Sequence, residues 1–210
     1  MRLFLFMILA GWSGMASASA TDLNFDVYLD DDPIGFHRVS IEERAEERRV
    51  RVEAEMAVEI LFFNAFSYRH RADEFWRGDC IFALETRTDD DGRPLRVEAD
   101  RVGGVLAVRS GAEQKRLEGC VRTFAYWKPE LLASDYLLNT QSGAYEPARL
   151  VELEPEPLRF NGRAYGAKRY RLEVGEEIRI DLWYDDESDW KALQTDLGNG
   201  RVLSYLRREG

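Results

Sequence analysis

The sequence of 210 residues has only two cysteines, Cys80 and Cys120, and two histidines, His37 and His70. These four residues lack the close pairwise spacing of zinc ligands, so no metal site is predicted. The chain also lacks a Gly-x-Ser-x-Gly turn, a phosphate-binding glycine loop, a His-Glu-x-x-His motif and a dinucleotide fingerprint. The sequence therefore gives no support to the enzyme classes that these motifs mark, and no cofactor is predicted.

Long apolar runs are also scarce, and the longest one is near the beginning, from Leu3 to Trp12. A spanning helix needs about 20 apolar residues, so we do not expect an integral membrane protein. The run follows Arg2 and precedes small residues that end at Ala20, an order typical of a cleavable signal peptide. We expect residues 1–20 to be the signal peptide and the mature chain to be periplasmic or secreted. No cysteine follows the small residues, which excludes the lipid-anchored type of signal.

Basic residues are in the minority, and the formal net charge is -10. Without Arg2, the one charged residue of the predicted signal peptide, it becomes -11. Lys and Arg alternate with Asp and Glu, as in residues 44–55, which is typical of a mixed solvated face. This acidic balance argues against nucleic acid and anionic lipid surfaces as partners. It leaves the oligomeric state open.

The two cysteines form an even pair, which favours a disulfide in an oxidising envelope compartment. Closing a loop of this length is worth about 4 kcal/mol in the chain-entropy model. Buried free thiols are the alternative.

Alternation of apolar and polar residues is the main structural signal. From Val50 to Phe62 the apolar residues fall on even numbers, and a second alternation runs from Ala65 to Arg77. Period two predicts half-buried strands. The Ala and Glu content makes a helix from Ile41 to Ala57 a competing interpretation, but propensity is the weaker signal.

Similar but shorter patterns, separated by turn-forming residues, predict further strands. The predicted strands are Leu23–Leu29, Gly35–Ile41, Cys80–Thr88, Arg93–Val102, Val105–Arg109, Arg149–Leu153, Ala167–Val174, Ile178–Tyr184, Lys191–Thr195 and Val202–Leu206. The fold class is therefore mostly β, an antiparallel meander that forms a curled sheet or barrel, as one domain over residues 21–210. Pro129 suits the first turn of one short helix near residues 129–138, which could cover the sheet.

Two groups of residues are candidates for a site. Alternation places Tyr68, His70 and Glu74 on the inward face of one strand, where a histidine and a carboxylate could act as general base and orienter. A hydrogen-bonded core histidine is the simpler alternative. Tyr126 and Trp127 precede the predicted helix, where they could line an apolar ligand site or cap the core.

Acidic runs at residues 89–92 and 185–189 raise the possibility of calcium binding. Neither run has the alternating ligands and distal glutamate of an EF-hand loop. Acidic hairpin turns are the better interpretation.

Four phrases carry a resemblance to a known family. They are YRHRADEFWRGDC at 68–80, GCVRTFAYWKPELL at 119–132, LLNTQSG at 137–143 and IDLWY at 180–184. Together they resemble the exported bacterial family catalogued as domain of unknown function 6134, over nearly the whole mature chain and with both cysteines. Lys128 departs from the asparagine that is usual in the family's Tyr-Trp-Asn-Pro phrase. The resemblance implies export and a β fold, and it supplies no substrate.

Three functional hypotheses follow. The leading one is an envelope protein that holds an apolar small molecule or lipid in the curled sheet, beneath the segment from Tyr126 to Leu138. The second is a hydrolase-like or isomerase-like enzyme that uses His70 and Glu74. The third is a structural or assembly partner in the envelope.

Overall fold

The computed structural model describes residues 19–60, 63–198 and 200–208. The predicted signal peptide lies almost entirely outside these residues. Only Ser19 and Ala20 of it are described, as the exposed start of the first strand. Among the helices of the described ranges, none has the length and apolar character needed to cross a bilayer.

Sixteen strands and one short helix form the described part of the chain. The first eight strands are β1 Ser19–Leu29, β2 Asp32–Arg44, β3 Glu47–Ile60, β4 Phe63–Arg77, β5 Cys80–Asp90, β6 Arg93–Val102, β7 Val105–Ser110 and β8 Glu113–Leu117. After helix α1, Pro129–Leu132, come β9 Tyr136–Leu138, β10 Tyr145–Leu153, β11 Leu158–Phe160, β12 Arg163–Tyr165, β13 Lys168–Val174, β14 Ile178–Tyr184, β15 Trp190–Asp196 and β16 Val202–Arg207.

Fourteen of these strands form one antiparallel sheet in the order β8-β7-β6-β5-β4-β3-β2-β1-β16-β15-β14-β13-β10-β9. The first and last strands of the chain, β1 and β16, pair in the middle of the sheet. One apolar core receives buried side chains from β1 to β7, β9 and β13 to β15. A sheet of this width can contribute to one core from so many strands only if it curls, because a flat sheet would hold its edge strands far apart.

The sheet curls without closing. Its outer strands β8 and β9 are not paired with each other in the described ranges, so the curled sheet is confirmed rather than the closed barrel. Residues 118–144, here called the covering segment, connect edge strand β8 to β10. The segment includes α1 and the other edge strand, β9. It therefore crosses the opening that the sheet leaves.

The predicted strands are present, and most are longer than predicted because hairpin pairing continues past the apolar alternation. The competing helix from Ile41 to Ala57 is wrong, since β2 and β3 occupy this range and pair along their length. The predicted short helix is present but spans only Pro129–Leu132. The end of the predicted helical range instead forms β9, in which Leu137 and Leu138 reach the core as part of an extended strand.

Four strands were not predicted: β8, β9, β11 and β12. Strand β8 has the sequence EQKRL, which contains a single apolar residue, so it carries no alternation. Strands β9, β11 and β12 have three residues each, too few to show a period. A turn at Asn161 and Gly162 joins β11 to β12.

Candidate ligand-binding site

Strand β4 positions three of the predicted site residues. His70 and Glu74 are 7% and 5% exposed, and Trp76 is 2% exposed, whereas Arg69 and Arg71 face solvent. This is the register that alternation predicts, because a shift by one residue would bury the arginines. Tyr68, His70 and Glu74 therefore point to the same inner face of the sheet.

The covering segment lies over this face and contributes Tyr126 and Trp127 to the site. Hydrogen bonds hold it on the strands below: the Thr86 hydroxyl donates to the carbonyl of Thr140 at 2.7 Å, and the Ser110 hydroxyl to that of Ser142 at 2.8 Å. Gly143, with φ of +75°, lies so close to β7 that a Cβ atom would be 2.7 Å from the Cβ of Ser110. Glycine is needed there by both the backbone conformation and the contact.

The disulfide predicted for Cys80 and Cys120 is confirmed, with Cα atoms 5.0 Å apart. It joins the start of β5 to the start of the covering segment. Next to it, the amide of Ile81 donates to the carbonyl of Val121 at 2.8 Å. These links hold residues 121–127 in place over β4, so the cysteines support the site without lining it.

A cavity of about 270 Å³ lies between the inner face of the sheet and the covering segment. All five predicted ligand or catalytic residues line it: Tyr68, His70, Glu74, Tyr126 and Trp127. The structure adds residues from β2, the covering segment and the C-terminal strands, chiefly His37, Gln141, Glu146, Trp190 and Tyr205. Valine, isoleucine and alanine side chains complete the wall. No lysine or arginine is among the described lining residues.

Glu74 is the main acidic group of the cavity. Its Oε2 atom accepts hydrogen bonds from Nε1 of Trp76 at 2.9 Å and from the hydroxyl of Thr123 at 3.1 Å. Its Oε1 atom receives no hydrogen bond from the described residues. Burial raises the pKa of Glu74 to about 7, although the two hydrogen bonds oppose this shift. The carboxyl group can therefore exchange a proton near neutral pH.

The two histidines of the chain both line the cavity, and both are neutral at physiological pH. Nδ1 of His70 is 2.8 Å from the hydroxyl oxygen of Thr88. Burial lowers the pKa of His70 to about 4. Burial, with a smaller contribution from the charge of His70, lowers the pKa of His37 to about 3. Nδ1 of His37 is buried and has no hydrogen-bond partner in the described ranges.

Three tyrosines bring their phenol groups into the same space. The Tyr68 hydroxyl donates to Oε1 of Gln141 at 3.1 Å. The hydroxyls of Tyr126 and Tyr205 form no hydrogen bond with the described residues. Burial raises the pKa of all three phenols, and each of Tyr126 and Tyr205 is raised further by its proximity to other tyrosines of this group. They are neutral hydrogen-bonding groups at any physiological pH.

His70 and Glu74, the pair that the enzyme hypothesis uses, form no hydrogen bond with each other in the described structure. Glu74 bonds to Trp76 and Thr123, and His70 bonds to Thr88. Each side chain nevertheless has one polar atom without a partner among the described residues, Nε2 of His70 and Oε1 of Glu74. The structure thus brings the two residues to one cavity as separate groups.

Sequence reasoning missed His37, Trp190 and Tyr205 as site residues. His37 lies in a predicted strand, where alternation gives its inward direction. Trp190 directly precedes one, and the register shift opposite Tyr184 turns it to the core face of Leu193 instead of the face of Ala192. Tyr205 lies between two buried residues, Ser204 and Leu206, so alternation does not give its direction. Nothing in the sequence shows that β2, β15 and β16 pass beside β4 and the covering segment, because that proximity arises from the curling of the sheet.

Comparisons with known proteins bear on the fold more than on the site. The family model described as "Domain of unknown function (DUF6134)" matches residues 25–208. Among solved structures, the chain is similar to a beta-barrel-like protein of domain of unknown function DUF1849 from Brucella abortus, with a TM-score of 0.64. The identity is 10%, over 90% of this chain and 95% of that chain, so the likeness concerns the fold alone. A comparison with curated proteins finds no similar sequence.

Proposed function

The chain belongs to the DUF6134 family, and from the site it carries we propose that it is an exported binding protein for a small, partly apolar molecule. The observation that carries the proposal is the cavity, which combines apolar walls with polar atoms that have no partner in the described part of the chain. Binding pockets have this composition, a mostly apolar lining with a few polar groups that orient the ligand.

The unpartnered groups are the second support. Buried polar atoms are normally hydrogen-bonded, and leaving one unpaired costs about 1–3 kcal/mol. Among the described residues, Nδ1 of His37 is buried without a hydrogen-bond partner. Oε1 of Glu74 and the hydroxyls of Tyr126 and Tyr205, whose residues line the cavity, also form no hydrogen bond with the described residues. A ligand with its own polar group would satisfy several of these groups.

The volume limits the size of the ligand. A cavity of 270 Å³ has the liquid volume of about nine water molecules at ~30 Å³ each. It therefore suits a small molecule or the end of a longer one. The cavity lies beneath residues 124–127 and 139–141, which overlap the predicted cover from Tyr126 to Leu138 at Tyr126 and Trp127.

Export supports this function and is part of the proposal. The disulfide between Cys80 and Cys120 fits an oxidising compartment such as the periplasm or the exterior. The order of residues at the N terminus predicts the signal peptide that would deliver the chain there.

Native mass spectrometry of protein purified from its own envelope tests the binding function. We expect a bound molecule that dissociates on denaturation. Ala54→Leu, which adds a larger side chain to the cavity wall, should abolish its capture. Ala57→Leu makes the same change on the exposed face of β3 and is the matched control. Equal capture by both variants, or no bound molecule in the wild type, would contradict the proposal.

An enzyme is the second candidate, because Glu74 has a pKa of about 7 and a free oxygen in a cavity. A group with this pKa is suited to general acid–base catalysis at neutral pH. Incubating the captured ligand with the protein would test this. Conversion by the wild type and not by Glu74→Gln is expected of an enzyme, whereas an unchanged ligand supports a carrier. The assembly hypothesis predicts a filled interior, and the cavity gives it no support.

A further inference from the structure

Resting on the proposed binding function, we propose that the cavity binds an alkylated organic ammonium ion, with Glu74 as its counter-ion and the rings of Tyr126, Trp190 and Tyr205 as its cage. Unlike the apolar small molecule or lipid expected from the sequence, this ligand carries a positive charge on the bound group.

Four ring side chains that line the cavity, those of Tyr126, Trp190, His37 and Tyr205, follow one another in contact. The ring centroids of Tyr126 and Trp190 are 5.5 Å apart, those of Trp190 and His37 5.8 Å, and those of His37 and Tyr205 5.1 Å. The faces of Trp and Tyr rings carry negative partial charge and attract cations within about 6 Å of the ring centre. Quaternary ammonium groups are recognised by aromatic sites of this kind.

The charges around the cavity also select for a cation. Glu74 presents its free Oε1 atom, and Glu146, whose Oε2 accepts a hydrogen bond from Nδ2 of Asn139 at 3.0 Å, adds a second carboxylate. No lysine or arginine lines the described cavity, and both histidines are neutral. An anionic ligand such as a fatty acid would place its carboxylate near two acidic groups without a cationic partner.

A neutral apolar ligand fits less well, because it would cover the free oxygen of Glu74 without satisfying it. Aromatic side chains form much of the cavity lining beside the free acceptors. An ammonium ion whose nitrogen carries alkyl groups fits this lining, since its charge meets the carboxylate and rings while its carbon atoms pack on the wall.

Proton uptake by Glu74 should regulate this binding. The titratable groups that share the cavity with it are His37 on β2, Tyr68 and His70 on β4, Tyr126 in the covering segment, Glu146 on β10 and Tyr205 on β16. The histidines and tyrosines stay neutral between pH 6 and pH 8 because burial lowers the pKa of the former and raises that of the latter. A carboxyl group with a pKa of about 7 loses roughly 90% of its charge between pH 8 and pH 6.

Calorimetric titration of the full protein with choline, compared with its uncharged carbon isostere 3,3-dimethylbutan-1-ol, tests the inference. At pH 8 we expect choline to bind at least tenfold more tightly than the alcohol. Its affinity should fall about tenfold at pH 6, while that of the alcohol stays constant. Hexanoate, an anion of similar size, should not bind.

Three variants connect the effect to the site. Glu74→Gln keeps the shape of the side chain and should remove both the preference for choline and its pH dependence. Tyr126→Leu should weaken choline at least fivefold more than the alcohol. Tyr136→Leu changes an exposed tyrosine outside the cavity and should have no effect.

The outcomes separate this inference from the binding function. Equal or tighter binding of the alcohol, or a choline affinity unchanged in Glu74→Gln, overturns the ammonium inference and leaves the binding protein. Failure of every probe to bind also overturns it. If the wild type carries no bound molecule in native mass spectrometry as well, both proposals fall.

Discussion

Replacing Glu74 with Gln should change how the stability of the protein depends on pH. The carboxyl group is buried, and its pKa is raised from 4.5 to about 7 in the folded state. In the unfolded chain it returns to its ordinary value. Between these two pKa values the unfolded state loses the proton while the folded state keeps it, so the free energy of unfolding falls as pH rises.

The size of the effect follows from the shift. At about 1.4 kcal/mol per pKa unit, Glu74 should cost the folded protein about 2–3 kcal/mol between pH 5 and pH 8. Glutamine does not titrate, and its side-chain oxygen can still accept from Trp76 and Thr123. From pH 5 to pH 8 the free energy of unfolding of the wild type should therefore fall by about 2–3 kcal/mol relative to that of Glu74→Gln.

The histidines change the stability with pH in the opposite direction. The test therefore measures the difference in free energy of unfolding between the wild type and Glu74→Gln. His37 and His70 have pKa values of about 3 and 4 in the folded state. Below pH 6.5 the unfolded chain protonates them and the folded protein does not, so acid destabilises the fold through these residues. Both proteins contain them, and their contribution cancels in the difference.

Urea denaturation of the wild type and Glu74→Gln at pH 5, 6, 7 and 8 measures this difference. Glu47→Gln, at an exposed position of β3, provides the control and should follow the wild type at every pH. Parallel profiles of the wild type and Glu74→Gln would refute the reasoning, because they would show that Glu74 titrates alike in both states.

Three further outcomes are expected. His70→Gln should remove part of the acid sensitivity. From pH 5 to pH 8 the free energy of unfolding of the wild type should rise by about 2 kcal/mol relative to that of the variant, as measured by denaturation at both pH values. A constant difference would contradict the buried neutral imidazole. Replacing Cys80 and Cys120 with Ser should lower the free energy of unfolding by about 4 kcal/mol, and thiol labelling of the denatured, unreduced wild type should find no free cysteine. N-terminal sequencing of the envelope protein should begin within a few residues of Thr21, and intact Met1 there would exclude the cleaved signal.

Much of the fold was accessible from the sequence because β-strands leave a local signature. The alternation from Val50 onward and from Ala65 to Arg77 predicted both β3 and β4 and the inward direction of His70, Glu74 and Trp76. Hairpin turns predicted the antiparallel order of the strands. Where an element was too short or too polar to show a period, as in β8 and β9, the prediction failed.

The candidate site was predictable only in part. The strand pattern placed Tyr68, His70 and Glu74 on one face, and the irregular stretch around Tyr126 and Trp127 indicated a cover. Whether His70 and Glu74 contact each other could not be predicted, because two residues four positions apart on a strand share a face without sharing a hydrogen bond. Their partners, Thr88, Trp76 and Thr123, were set by neighbouring elements.

By itself the sequence determined which side chains of β3 and β4 face inward, since alternation along a regular strand depends only on the backbone and on the cost of burying charge. Only the tertiary structure decided which inward residues meet. His37, Trp190 and Tyr205 lie far from Glu74 in the chain, and they reach one cavity because the pairing of β1 with β16 joins the two halves of the sheet and the sheet then curls around a single core. That curvature sums small twists over fourteen strands, and no local pattern of residues encodes such a sum.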